Sequence, residues 1–278
     1  MKLTMHLSLA EKTEIEAYTN FMTGAPASVR ERLGIASLDL GYATALLVKN
    51  DPSYFFNRVG GFSADRPPTA DDVARAITFF RAHKIEQAAF MVAPPLAGPN
   101  WHEIVRKAEL TPGRRYTKLV CDVRTLPGLP SGFPGLDPKL RIGPVSSADA
   151  DEWGAVMMKG FGFSVPGMAE NAAASVGRPN WQQYAIWDQS RIVATGSIFV
   201  DGECADMFGG ATLPEARGRG AQSALLAVRI LAAQEAGCRW IFAETGSEQP
   251  GEHNSSLHNM QRIGFRPLYE RLTWLWRS

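Results

Sequence analysis

The stretch from Asp206 to Ala236 constrains the fold of this chain more than any other. A strand-like run, Met207 to Leu213, meets a turn closed by Pro214. Arg217-Gly218-Arg219-Gly220-Ala221-Gln222 follows and opens a long helical pattern. Ala221, Ala224, Leu225, Val228, Leu231 and Ala232 recur at helical spacing, and Gly237 stands where a C-terminal stop belongs. A strand that turns through glycines into a helix N-terminus presents unpaired backbone N–H groups and the positive end of the helix dipole, which together form an anion site. Two glycines at this spacing let the backbone approach a phosphate more closely than any residue with a Cβ would allow.

Composition narrows what surrounds this element. At 278 residues the chain is long enough for about two domains of ordinary size. Apolar and charged fractions of 45% and 21% are those of a soluble globular protein. A net charge of +1, with Lys and Arg scattered, gives no field that would draw nucleic acid or an anionic membrane. Cys121, Cys204 and Cys238 show no paired metal spacing and read as reduced thiols of a cytoplasmic protein. The first residues, with Glu11, Lys12 and Glu14 close behind, do not read as a signal peptide, and no apolar run approaches the roughly 20 residues that span a bilayer.

Along the chain, Ser8 with Glu11 fits a capping box for a helix to about Phe21, and a second short helix runs from Pro26 to Gly34. Residues 43–48 and 54–59 read as strands, and Thr69 with Asp72 caps a helix to about His83. A buried strand (88–92), a helix (101–110) and a strand (116–123) complete this half. Pro127, Gly128, Pro130, Gly132, Pro134 and Gly135 mark a linker. The pattern then restarts: a strand (140–145), a helix (147–159), an irregular Gly- and Ala-rich stretch (161–177) and a hairpin about Asp188-Gln189-Ser190. Beyond the long helix come a strand (240–245), a helix (255–263) stopped by Gly264, and a terminal strand (268–276). An offset of 155 sets Arg106–Pro112 against Gln261–Pro267, with both prolines matched, which suggests an internal duplication. Two unrelated α/β units of similar periodicity would give the same order of elements.

On these residues the C-terminal half resembles the GNAT superfamily of acyl-CoA-dependent N-acyltransferases. The family's pyrophosphate loop, Gln/Arg-x-x-Gly-x-Gly/Ala, is matched by Arg217 and Gly220, with Gln222 departing at the sixth position. Its second signature, an Asn ahead of a helix that ends in Gly-Phe, is matched by Asn254 and Gly264-Phe265. The resemblance implies an α/β (α+β) chain of two GNAT-like domains, each a mixed, largely antiparallel sheet flanked by helices. Residues 1–126 would be a degenerate copy, 127–138 a linker and 139–278 the N-acetyltransferase domain. In the first copy Gly61-Phe62-Ser63-Ala64-Asp65 stands where the Arg-Gly turn would be.

The resemblance further implies acetyl-CoA as co-substrate, no metal, and acetyl transfer to a primary amine by direct attack in a ternary complex. Residues 217–223 (Arg217, Gly218, Arg219, Gly220, Ala221, Gln222, Ser223) would hold the pyrophosphate. Ala211, Thr212 and Leu213 would receive the pantetheine arm, and Asn254 would be a further cofactor-binding residue. Leu213 N–H maps onto the oxyanion donor. The family's tyrosine acid and strand carboxylate fall on Met260 and Met207, neither of which moves a proton, while Asp206 is expected on the other face of the strand unless a bulge at Gly209-Gly210 changes its phase. Glu244, at the end of the strand after the long helix, is the preferred base. The acceptor would be a small amine or amino-acid-like molecule; no nucleic acid or membrane partner is expected, and the oligomeric state is not legible. A non-catalytic acyl-CoA-binding protein of the same fold is the alternative.

Overall fold

The structure, a computed structural model, describes residues 2–126, 132, 133 and 135–278. In chain order the elements are α1 (Lys2–Thr23), α2 (Ala27–Leu33), β1 (Ile35–Asp39), β2 (Thr44–Val48), β3 (Arg58–Gly60), α3 (Ala70–Ala82), β4 (Gln87–Met91), α4 (Trp101–Lys107), β5 (Thr111–Asp122), β6 (Leu140–Pro144), α5 (Ala150–Phe161), α6 (Met168–Ala173), β7 (Trp181–Asp188), β8 (Arg191–Asp201), β9 (Cys204–Thr212), α7 (Ala221–Glu235), β10 (Trp240–Gly246), α8 (Ser255–Arg262) and β11 (Arg266–Arg277). The described residues fall into two compact units, one drawn from 1–118 and 268–278 and the other from 119–267. Residues 127–131 and 134 of the expected linker lie outside the described residues.

In the first unit the strands run β1-β2-β3-β4-β11-β5. β11 pairs antiparallel with β4, from Thr273 opposite Met91 to Arg277 opposite Gln87. Residues 268–278, assigned by sequence to the second domain, thus pack with the first unit. The expected box on α3 is present: Thr69 Oγ1 accepts from Asp72 N–H while the Asp72 carboxylate accepts from Thr69 N–H. The expected box on α1 is not. That helix starts earlier, Ser8 Oγ accepts from Ala64 N–H, and Glu11 is buried. The 54–59 strand shrinks to β3 because Tyr54 takes a positive φ of 55° at the end of the Asp51 turn. Val59, Phe62, Val73, Phe80, Phe90 and Trp276 lie in the core of this unit.

In the second unit the order is β5-β10-β9-β8-β7-β6, with β5 contributing its last residues. The hairpin about 188–190 forms as β7 and β8, with Gln189 at φ 56°. The stretch expected to be irregular contains α6, started by Gly167 in the left-handed region. Gly154 of α5 lets the two helices meet, since a Cβ there would come 2.4 Å from the Ala169 carbonyl oxygen. Leu226 and Ile230 of α7 and Leu257 and Met260 of α8 pack with Ile241 and Ala243 of β10 in one core. No helix among the described residues is long and apolar enough to cross a membrane. The three cysteines are buried and unbridged.

Candidate active site

The site of interest forms where β9 and β10 part. They pair in parallel only from Cys204 opposite Trp240 to Asp206 opposite Phe242. Beyond that β9 continues to Thr212 and β10 to Gly246 without pairing to each other. A cleft between diverging parallel strands exposes backbone donors and acceptors that a ligand can use as a further strand would. β9 also carries a bulge. Thr195 pairs with Ala211 but Ser197 with Phe208, so Gly209 and Gly210 together oppose one residue of β8. Gly209 has a φ of 60°, and a Cβ there would strike the Met157 side chain of α5. The next turn of α5 is as close: a Cβ on Gly160 would lie 2.5 Å from that of Ala211. The bulge lies beyond Asp206 and Met207, whose register with Phe199 and Ile198 is regular. Met207 accordingly packs on the α7 and α8 core, and Asp206 is buried on the opposite face.

Leu213, the expected oxyanion donor, has its amide engaged within the sheet. Its N–H donates to the Val193 carbonyl at 3.0 Å because β8 keeps pace with β9 past the bulge. Antiparallel alternation turns the preceding amide, Thr212 N–H, away from β8 and toward the side that β10 has left. Thr212 N–H is therefore the amide of this strand end that faces the parted side, and buried Ala211 lies beside it.

The glycine loop follows a short turn at Pro214–Ala216. Gly218 and Gly220 have φ of 74° and 78°, left-handed values that glycine adopts without strain. Gly220 stands at the N-cap of α7 and brings no side-chain cap, so the first-turn amides of Ala221, Gln222 and Ser223 meet no capping side chain. Arg217 is exposed, and a Cβ on Gly218 would meet nothing within 4 Å. Gly220 differs: a Cβ there would fall 1.9 Å from the Gly135 carbonyl oxygen, so the close approach it permits is made by the chain itself. Arg219 is likewise committed. Its Nε donates to Asp137 at 2.8 Å and its Nη1 to Asp188 at 2.5 Å, while its carbonyl accepts from Asp137 N–H. These contacts clamp the loop between the residue run before β6 and the β7–β8 turn.

Asn254 caps α8 by accepting from Ser256 and Leu257 N–H, and donates to Thr245 Oγ1 and the Gly246 carbonyl. It ties the end of β10 to α8. Gln222 accepts from Asn259 Nδ2 at 2.7 Å, which joins the first turn of α7 to α8. Glu244 is half-buried on the stretch of β10 beyond its pairing with β9, on the face opposite Ala243 and the α7–α8 core. Met260, at 5% exposure, is a core residue. Trp153 and Trp181 are buried, whereas Phe161 at the end of α5 is half-exposed.

Beneath the bulge lies Arg229 of α7, which sequence reading passed over. It is buried against Gly196 and Gly210, with Nε donating to the Leu225 carbonyl at 2.8 Å. Burial lowers its pKa to about 10 against the opposing pull of the Asp206 carboxylate. A Cβ at Gly196 would press on the guanidinium at 3.0 Å, whereas one at Gly210 would meet it at 3.5 Å, an ordinary contact.

The open side of Gly218, the exposed Arg217, the uncapped α7 N-terminus and the parted strands together suit an anionic ligand. A second cleft, of about 850 Å³, opens in the first unit and is lined by Ser8, Lys12, Glu16, Asp39, Tyr42 and Asp65 among others. Its three carboxylates against one lysine suit a cation and not a pyrophosphate, so the size of this cleft is a weaker guide to the chemistry than the donor set at α7.

No family model and no curated protein matches the sequence. Solved structures do match over nearly the whole chain. A GCN5-related N-acetyltransferase from Kribbella flavida aligns with a TM-score of 0.65 at 15% identity, covering 99% of this chain and 96% of that one. A GCN5-related N-acetyltransferase from Sphaerobacter thermophilus gives 0.59 at 14% identity, with coverage of 98% and 92%. A tandem GNAT protein from the clavulanic acid biosynthesis pathway gives 0.59 at 13% identity, with coverage of 96% and 95%. At such identities the likeness speaks for the fold: this chain has the GNAT fold of these acetyltransferases, in a tandem, two-domain form.

Proposed function

We propose that the second unit is an N-acetyltransferase, moving acetyl from acetyl-CoA to a primary amine of a small or amino-acid-like acceptor by direct attack in a ternary complex. The observation that carries this reading is the parting of β9 and β10 after Asp206 and Phe242, beside the uncapped N-terminus of α7. The co-substrate would supply the thioester. Arg217, Gly218 and the amides of Ala221, Gln222 and Ser223 would hold its pyrophosphate. Thr212 N–H would stabilise the negative oxygen that develops on the attacked carbonyl. Glu244 would take the proton of the attacking amine, directly or through one water. Met260 has no proton to give, so the leaving thiolate would be protonated from water.

A non-catalytic acyl-CoA-binding role is the second reading, and it is favoured by the burial of Met260 and by Met207 at the strand position of the usual carboxylate. A thiol-release assay with acetyl-CoA and a panel of amines separates the two. Turnover that falls at least about tenfold in Glu244→Gln, with acetyl-CoA affinity retained, supports the enzyme. Tight acetyl-CoA binding without turnover on any amine supports the binding protein. The cytoplasm is the proposed location, with no nucleic-acid or membrane partner.

A further inference from the structure

The loop between β10 and α8 gathers three side chains that acetyl transfer does not use. Glu248 lies in the loop, His253 directly before the Asn254 cap, and His258 on the first turn of α8. The ligand-capable atoms of the three all lie within 4.8 Å of one another. His258 Nε2 is 3.1 Å from each Glu248 carboxylate oxygen, and His253 Nδ1 is 3.7 Å from Oε1. The two imidazoles stack, with centroids 4.5 Å apart and planes at 27°. Bonds of about 2.0–2.2 Å to a tetrahedral zinc place its ligand atoms about 3.3 Å apart, and the distances from Glu248 to the two histidines bracket that value.

We propose that Glu248, His253 and His258 form a binding site for a divalent transition-metal ion, with zinc the ion the donor set suits. Two neutral imidazole nitrogens and one carboxylate make a borderline, tetrahedral-compatible set. A plain ion pair accounts for His258 against Glu248, but it does not account for a second imidazole stacked on the first and turned to the same carboxylate; two protonated rings at that distance would repel. The carboxylate is oriented from behind, since Asn254 N–H donates to Glu248 Oε1 at 2.7 Å. Asn254 is itself tied to Thr245, Gly246 and the start of α8, so the ligands stand on an anchored loop. Side-chain exposures of 72% for His253, 40% for His258 and 24% for Glu248 leave room for a water in the fourth position. The ion would be exchangeable and removable by chelator. The sequence reading found no metal spacing because the ligands recur every five residues across a loop and a helix start, outside the usual short patterns.

The test uses the full chain without a histidine tag, stripped with chelator and titrated with zinc by calorimetry, with cobalt(II) absorption as a second readout. One ion per chain is expected, with visible bands of a four-coordinate cobalt site and a melting temperature raised by zinc. His253→Ala, His258→Ala and Glu248→Gln should each weaken zinc by at least about tenfold. Melts recorded in chelator report folding of each variant separately, and His253→Gln serves as a second, milder variant. Absence of zinc binding to the wild-type chain, or undiminished binding in the His253→Ala/His258→Ala double variant, would overturn the proposal. Neither readout depends on acetyl transfer.

Discussion

Arg271 of β11 donates from Nη2 to both carboxylate oxygens of Glu14 on α1, at 2.8 Å each, and both side chains are buried. Around this pair Lys118 Nζ donates to Glu14 at 2.8 Å, Arg58 lies 3.8 Å away, and Arg271 Nη1 donates to Glu11 at 2.6 Å, while Tyr269 hydroxyl also donates to Glu11. The cluster holds α1 to three strands of the first unit. Glu14→Ala would leave three cations without their shared carboxylate inside the protein. A loss of about 3–5 kcal/mol is expected, read from urea unfolding at neutral pH.

The same cluster sets a pH dependence. Burial alone would raise Glu14, but Arg271, Lys118 and Arg58 outweigh it and hold its carboxyl well below the usual range. Its stabilisation is therefore present above the unfolded carboxylate pKa and is lost as pH falls toward the depressed value. Glu11 moves the other way: burial pushes it up to about 7, with the Glu14 charge adding to the rise and Arg271 opposing it. A raised carboxyl pKa stabilises below the unfolded value and is lost as pH rises through about 7. Glu11→Gln should flatten the decline in stability between the unfolded carboxylate pKa and neutral pH, and Glu14→Gln should flatten the acid limb. Denaturant midpoints collected across pH check both; an unchanged profile in Glu11→Gln would remove Glu11 from the account.

Met260→Tyr would place a hydroxyl four residues before Gly264-Phe265, where the GNAT resemblance implies a tyrosine acid. Met260 packs with Leu257, Ile241 and Phe265 at 5% exposure, so the ring has no room to turn into the cleft. A cost of about 1–3 kcal/mol and no gain in rate are expected. A faster enzyme at unchanged stability would show that α8 can shift to admit the ring.

How much of this was legible in the sequence follows from how local each cause is. The Thr69–Asp72 box, the 188–190 hairpin and the strand–glycine–helix passage at 206–236 each rest on residues a few positions apart, and each formed. Glu11 reads as a capping residue because its partner in the structure, Arg271, is 260 positions away. Arg219 reads as a phosphate contact, and its ion pairs with Asp137 and Asp188 are not legible because those partners are distant in sequence. Leu213 maps onto the oxyanion donor in the sequence, but a one-residue bulge decides which amide faces β8, and the paired glycines mark the bulge without showing its register. Helix α6 is not legible in the sequence because its six residues are too few to show a period, and it packs on α5 at Gly154.

Gly218 and Gly220 separate charge from shape in the loop. A side chain at Gly220 would displace Gly135, so substitutions there disturb the loop whether or not a ligand binds. Gly218 is open, and its φ of 74° is a conformation that Asn and Asp adopt better than other side chains. Gly218→Asn and Gly218→Asp should each cost about 1 kcal/mol for the left-handed backbone while differing by one charge at the mouth of the cradle. If Gly218 borders a pyrophosphate, Asp should weaken CoA at least about tenfold more than Asn, and added salt should narrow that gap. Calorimetric Kd values at two ionic strengths decide it; equal affinities for the two variants would place the phosphates elsewhere.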